Sequence, residues 1–430
     1  MEAPAVRRPQ EPPRPLRVAV VAGPDPGHAF PAAALALRLT AAGHAARLYT
    51  GERFAARMAA DGIDVHLLPL LAAPPGDDDR DFGHRLHARA GQMAPPLAAL
   101  LGGFGPALVV SDVLTVAGGL AAELAGVPWV ELVPHLLHVP SAALPPPGTG
   151  LAPGRGVAGR SRDAALRRFH ARALSAGDRQ RAAVRVGLGL PAADPGPARR
   201  MVATLPGLEY PRPDWPVGTA IVGPLLWDPA DGDLAPPPGD GPLVVVSGST
   251  SVNGRVGLLP AALAGLGGQY AARLDGARLD GTRLAGAAVG AAAGAAGAAG
   301  RGAGAGLRLA GTVLEEYAGA VPPWAAVGRG RQGPLLAAAA VAVTGGGHGM
   351  VAKALACGVP VVVAPGGGDQ RDVAHRVIRA GAGVVLRRLS PGAVAAAVRA
   401  VLADPGYRAA ARRLAAEPPP ADPVRVCEEA

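Results

Sequence analysis

The run Thr344-Gly345-Gly346-Gly347-His348-Gly349 stands between an apolar stretch, residues 335–343, and a helical pattern over residues 350–356. Glycines let backbone N–H groups close on an anion, and a helix N-terminus adds partial positive charge, so this loop suits a diphosphate. A tight strand-to-helix turn is the plain alternative. Lys353 falls one helical turn beyond Gly349, within reach of an anion held at the helix start, unless a salt bridge engages it. A different chemistry is open to His28, after the first apolar run, and to Asp112, at the end of the segment PALVVSD. An imidazole with a pKa of about 6.5 can take a proton from a hydroxyl nucleophile near neutral pH. A buried carboxylate can fix its tautomer and stabilise its protonated form. The alternatives are a turn-capping role for His28 and a helix-capping role for Asp112. Ser249, in Ser247-Gly248-Ser249-Thr250, could reach a phosphate or an acceptor, or cap a helix. His135 and His138, among prolines, could line the side where such a hydroxyl binds or pack within a loop.

The elements that must carry these residues alternate. Residues 17–22 (RVAVVA) form a β-branched run, followed by a Gly/Pro turn that places His28 in a loop, and then by a helical pattern over 32–42. Strands are expected at 46–50, 65–70, 107–110 and 128–133, with a helix at 117–125. Strand and helix in alternation imply a parallel sheet covered on both faces, and ligands bind at the carboxyl edge of such sheets. An Arg-studded helical stretch is expected over 161–186. The chain length of 430 residues favours two domains. The expected boundaries are a disordered leader at 1–16, an N-terminal domain at 17–223, a linker at 224–242 rich in Pro, Gly and Asp, and a C-terminal domain at 243–430. The latter contains an Ala/Gly-rich insertion at about 286–306.

The spacing after the glycine loop is more specific. Gly358-Val359-Pro360 follows, then Pro365, then Asp369-Gln370. This arrangement resembles the donor-binding signature of the family-1, UDP-glycosyltransferase-like enzymes, a group that includes bacterial natural-product glycosyltransferases. Gln332 with Leu335 and Leu336 resembles that family's upstream glutamine and paired leucines. Gly27-His28-Ala29-Phe30-Pro31, residues 106–112 and Gly126-Val127-Pro128 resemble its N-terminal landmarks. The resemblance implies a GT-B fold, α/β, with two Rossmann-like domains facing across a cleft. It implies His28 as general base partnered by Asp112. Gly346, Gly347, His348, Gly349, Lys353, Asp369, Gln370, Ser249 and Gln332 would form the donor side, and His135 would stand on the acceptor side. The implied reaction is inverting, metal-independent transfer of a sugar from a nucleotide-diphosphate sugar to a hydroxyl of a small lipophilic acceptor. No cofactor is implied beyond that co-substrate.

Departures cluster at the donor side. Gly345 stands where the family has a diphosphate-binding histidine, Met350 where it has a small hydroxyl residue, Lys353 where a glutamate holds ribose hydroxyls, and Arg329 where a tryptophan often stacks on the base. They imply an altered phosphate contact through His348 or Lys353, an unusual nucleotide, or lost transfer. The alternatives are thus a non-catalytic nucleotide-sugar-binding protein and a sugar-nucleotide epimerase or hydrolase.

Composition narrows the partners. The formal charge of +9 is carried by arginine dispersed along the chain, Lys353 being the only lysine, and no aromatic-and-basic platform accompanies it, so no nucleic-acid partner is expected. Peripheral membrane contact stays open through the Arg-rich stretch. Two cysteines without metal-ligand spacing and no signal-like leader suggest a cytoplasmic protein. The cluster Asp77, Asp78, Asp79 and Asp81 is read as a solvated loop, and no metal site is expected.

Overall fold

The computed structural model describes residues 14–71, 82–229, 232–250, 254–271 and 306–430. Most of the expected leader, the aspartate cluster at 77–81 and nearly all of the Ala/Gly tract at 286–306 lie outside those residues. The first sheet has seven strands: β1 (Arg17–Val21), β2 (Ala45–Thr50), β3 (Asp64–Leu67), β4 (Leu108–Asp112), β5 (Trp129–Val133), β6 (Arg199–Val202) and β7 (Thr219–Ile221). Its order is β3-β2-β1-β4-β5-β6-β7, with every pairing parallel. The second sheet has six: β8 (Leu243–Ser247), β9 (Arg308–Thr312), β10 (Ala325–Gly328), β11 (Ala339–Thr344), β12 (Val361–Val363) and β13 (Gly383–Val385). Its order is β10-β9-β8-β11-β12-β13, again all parallel.

Burial on both faces explains why the strands read as unbroken apolar runs. In β1, Val18 and Val20 enter one core with the helices Pro26–Ala41 and Pro423–Glu428. Ala19 and Val21 enter another with the helices Phe82–Phe104 and Val116–Leu124. Strand periodicity divides β8 in the same way, Leu243 and Val245 facing one core and Val244 and Val246 the other. Each fully buried valine contributes about 1.5–3 kcal/mol relative to exposure.

Three details refine the element boundaries. The apolar stretch 335–343 is not one strand: Leu335 and Leu336 are buried in the short helix Gln332–Ala338, and the strand begins at Ala339. Within the expected linker 224–242, Leu225 and Trp227 pack in the first-domain core and the Trp227 indole N–H donates to Asp61 at 2.7 Å. Near the end of the expected unit 243–430, Val426 and Cys427 are buried in the first-domain core, and His44 pairs with Glu428. The Arg-rich stretch is the helix Gly156–Gly187. It is anchored at its C-terminal end by the fully buried Arg185, which meets Glu123 through two 2.8 Å bonds.

In each sheet, the strand order reverses beside one pair of strands. β1 lies next to β2 on one side and β4 on the other, and β8 lies between β9 and β11. The carboxyl ends of β1 and β4, and of β8 and β11, are therefore the topological switch points where a doubly wound sheet opens a crevice. His28 follows β1 and Asp112 ends β4, while Ser249 and Gly345 to His348 follow the second pair.

Candidate active site

His28 is the third residue of the helix Pro26–Ala41 and not part of a preceding loop, as the sequence suggested. Pro26, with its preset φ and missing N–H, starts that helix early. Asp112 closes β4 as expected and is fully buried at its side chain. His28 Nδ1 lies 2.7 Å from Asp112 Oδ1. The other carboxylate oxygen accepts from the Leu114 amide and the Thr115 hydroxyl, each at 3.1 Å. A carboxylate only accepts, so Nδ1 carries the proton and Nε2 keeps its lone pair. Burial pulls the His28 pKa down, but the charge and hydrogen bond of Asp112, aided by Asp25 and Asp369, outweigh it and the net direction is upward. Asp369, at the start of the helix Gln370–Ala380, thus brings second-domain charge to bear on the first-domain histidine.

His135 stands with its ring centroid 6.1 Å from that of His28, edge to face. Its Nδ1 lies 2.8 Å from the Leu136 carbonyl oxygen, so Nδ1–H donates there. Burial drives its pKa down and keeps it neutral, as it does for His138, which is lowered to about 4. Both histidines line a cavity of about 230 Å³. Its walls come from Leu136, Leu137 and Leu144 to Gly148 on the first domain and from Asp369, Asp372 and Arg376 on the second.

The glycine loop after β11 has a reason at each position. A Cβ on Gly345 would meet the Ser249 backbone nitrogen at 2.8 Å, so no side chain fits where the resemblance calls for histidine. Gly346 has φ +88°, and its Cβ would meet Val363 at 3.0 Å. Gly347 and Gly349 face open space. Gly347 precedes the helix His348–Ala356, whose first-turn amides no side chain caps. Gly346→Ala is expected to weaken nucleotide binding by about tenfold, since a left-handed non-glycine residue costs roughly 1–2 kcal/mol; calorimetric titration with thymidine and uridine diphosphates checks this.

The remaining donor-side residues are engaged within the protein. His348 is buried, with Nε2 2.8 Å from the Thr204 hydroxyl across the domain boundary, and burial lowers its pKa to about 3. Lys353 pairs with Asp228 and donates to Gln332 Oε1 at 3.0 Å. Gln332 Nε2 in turn donates to the Ser247 and Thr312 hydroxyls, both at 3.0 Å. Gln370 accepts from the Gly366 amide at 2.8 Å and donates to Ser249 Oγ at 3.0 Å. Arg329 is exposed. The sequence reading missed Asp228 and Thr204. Asp228 follows a buried tryptophan, Trp227, and that aromatic residue in a Pro/Gly-rich segment was the available signal of packing.

Comparison with known proteins identifies the family. Residues 316–430 match the family described as erythromycin biosynthesis protein CIII-like, C-terminal domain. The chain is 31% identical over 437 residues to 4'-demethylrebeccamycin synthase of Lentzea aerocolonigenes, covering 93% of this chain and 94% of that protein. The Streptomyces sp. SF2575 glycosyltransferase SsfS6, crystallised with thymidine diphosphate, superposes with a TM-score of 0.59 at 22% identity, covering 96% of this chain and all (100%) of that one. The spinosyn rhamnosyltransferase SpnG, crystallised with spinosyn aglycone, gives a TM-score of 0.62 at 18% identity, covering 96% and 98%. The fold is GT-B, and with the full-length sequence relative it defines a GT-B glycosyltransferase. The chain belongs to the family of bacterial natural-product glycosyltransferases that includes enzymes of antibiotic pathways. Among the described residues, no helix is long and apolar enough to cross a membrane.

Proposed function

We propose that the protein transfers a sugar from a nucleotide-diphosphate sugar to a hydroxyl of a small lipophilic aglycone, with inversion at the anomeric carbon. The observation that carries this reading is the His28–Asp112 pair, 2.7 Å apart at one switch point, facing Asp369 of the second domain. His28 Nε2 takes the acceptor proton as the oxygen attacks the anomeric carbon. Asp112 stabilises the imidazolium that forms. The bond to the nucleoside diphosphate breaks on the opposite side, and a single displacement of this kind inverts configuration. The amides of Gly347 and the start of the helix His348–Ala356 receive the charge of the leaving diphosphate, while the Gly346 amide braces the loop by donating to the Thr344 hydroxyl at 3.3 Å; this proposal needs no metal and no further cofactor.

The closed network around Lys353 and the side chain of His348 leave the phosphate contact to backbone amides, with Asp369 available to donor sugar hydroxyls. SsfS6 holds thymidine diphosphate, which supports a nucleoside diphosphate as the leaving group here, and SpnG holds an aglycone, which supports a small acceptor. His135, neutral and beside His28, would line the acceptor's side of the cleft. The test is release of nucleoside diphosphate from thymidine and uridine diphosphate glucose, with and without a hydroxylated aromatic acceptor. Acceptor-dependent release is expected. Release at the same rate without acceptor would replace transfer by donor hydrolysis or epimerisation.

A further inference from the structure

The helix Gln370–Ala380 begins beside Asp369 and turns its next polar residues toward the first domain. Asp372 accepts from the Gly148 amide at 2.5 Å and from the Gly150 amide at 2.6 Å, one on each carboxylate oxygen. One turn on, His375 Nδ1 lies 2.9 Å from the Tyr210 hydroxyl. Farther along, Arg379 donates to the carbonyls of Gly207 and Glu209, both at 2.8 Å. The two amides that Asp372 binds belong to Gly148-Thr149-Gly150, in which both glycines have positive φ, +84° and +63°. Such a turn directs successive N–H groups to one side, the arrangement that receives an anion. Thr149 braces the turn by donating its hydroxyl to the Pro146 carbonyl at 2.8 Å. A Cβ at Gly150 would lie 2.6 Å from the Cβ of Arg371, so the turn seats directly against the helix.

Pro145, Pro146, Pro147, Gly148 and Leu151 form one wall of the cavity that also holds His135, and Asp372 stands in the facing wall. We infer that Asp372 is a positioning residue for the acceptor: by holding the Gly148-Thr149-Gly150 turn it fastens the acceptor-side loop to the donor-side helix, so the acceptor cavity is complete only when the two domains are docked. This rests on the reading of the cavity as the acceptor's. The prolines make the loop stiff, so fixing its tip fixes the wall. The same helix start presents Asp369 to His28. Loop position and donor-sugar position are therefore set by one rigid element. Loss of the tie leaves the donor loop after β11 untouched, because none of its contacts runs through Asp372.

The test uses the full chain and two variants, one on each side of the contact: Asp372→Ala, which removes the carboxylate, and Gly150→Ala, whose Cβ collides with Arg371. Each is expected to raise the acceptor KM about tenfold, the loss expected when hydrogen bonds to a charged group are removed. Calorimetric affinity for thymidine and uridine diphosphates should stay within about twofold. The double variant should be no worse than the weaker single one, because both break the same contact. Deuterium uptake at residues 146–151, measured on the protein without substrates, should rise in both variants. This readout judges the contact even if no acceptor-dependent release is seen, an outcome that would instead reject the proposed transfer. Unchanged deuterium uptake in Asp372→Ala, an unchanged acceptor KM, or nucleotide affinity falling in step with acceptor affinity would overturn the inference.

Discussion

His28→Ala is expected to lower kcat by about 10²–10⁴-fold, the span that a positioned general base contributes, while nucleoside diphosphate affinity stays within about twofold. His28 touches Asp112 in the first domain, and the glycine loop that would hold the diphosphate lies in the second, so the two properties separate. The pH dependence is a second expression of the same pair. The base must be neutral to act, and its pKa lies above the ordinary imidazole value because Asp112 outweighs burial. Activity should therefore rise with pH through a limb above about 6.5. In Asp112→Asn, burial remains and the carboxylate charge is gone, so the limb should move to lower pH even as kcat falls through loss of the correct tautomer. Turnover of His28→Ala within a few-fold of the parent, or an acid limb that stays put in Asp112→Asn, would remove the pair from the reaction.

The second large effect is expected in stability. Lys353 and Asp228 are mostly buried and form a pair whose members come from the two domains' sides of the chain. Lys353→Met leaves Asp228 without its cation, and breaking such a pair from one side costs about 3–5 kcal/mol. Partial exposure of both groups, 11% and 18% at the side chains, places the expectation at the lower end. Asp228→Asn alone should be similarly harmful, and the double variant should recover part of the loss, since an uncharged pair leaves no buried charge. Urea unfolding of the four proteins measures all three terms. Should Lys353→Met unfold like the parent while binding thymidine diphosphate far more weakly, Lys353 would be a donor contact and the pairing incidental.

Much of this site could be read from residue types because its parts are local. Glycines that the loop after β11 needs for close approach, the Asp369-Gln370 pair at a helix start, and His28 after a β-branched run all lie within short segments. Sequence periodicity found β1, β2, β4 and β5 for the same reason. It failed where tertiary contact decides. The helix Phe82–Phe104 carries Pro95 and Pro96 in its interior, which local rules read as a break. β6 is Arg-Arg-Met-Val, and only its place between β5 and β7 makes it a strand. The partners of Lys353 and His348, Asp228 and Thr204, lie 125 and 144 residues away in sequence. No local pattern can indicate such pairings. Gly345 is the instructive intermediate case: its departure from the family pattern was visible, while its cause, the Ser249 backbone pressed against it, was not.

The return of the chain's end to the first domain has a mechanical meaning. Gly223, on the way out, has Pro419, on the way back, within 3.3 Å of where its Cβ would stand, and the Ala421 amide donates to the Ile221 carbonyl. Both covalent crossings thus run side by side through a single corner. A body joined to another at one corner opens like a book along its spine, and the pages are held shut by whatever clasps their free edges. The Asp372 tie to the Gly148-Thr149-Gly150 turn is one such clasp, set away from that spine.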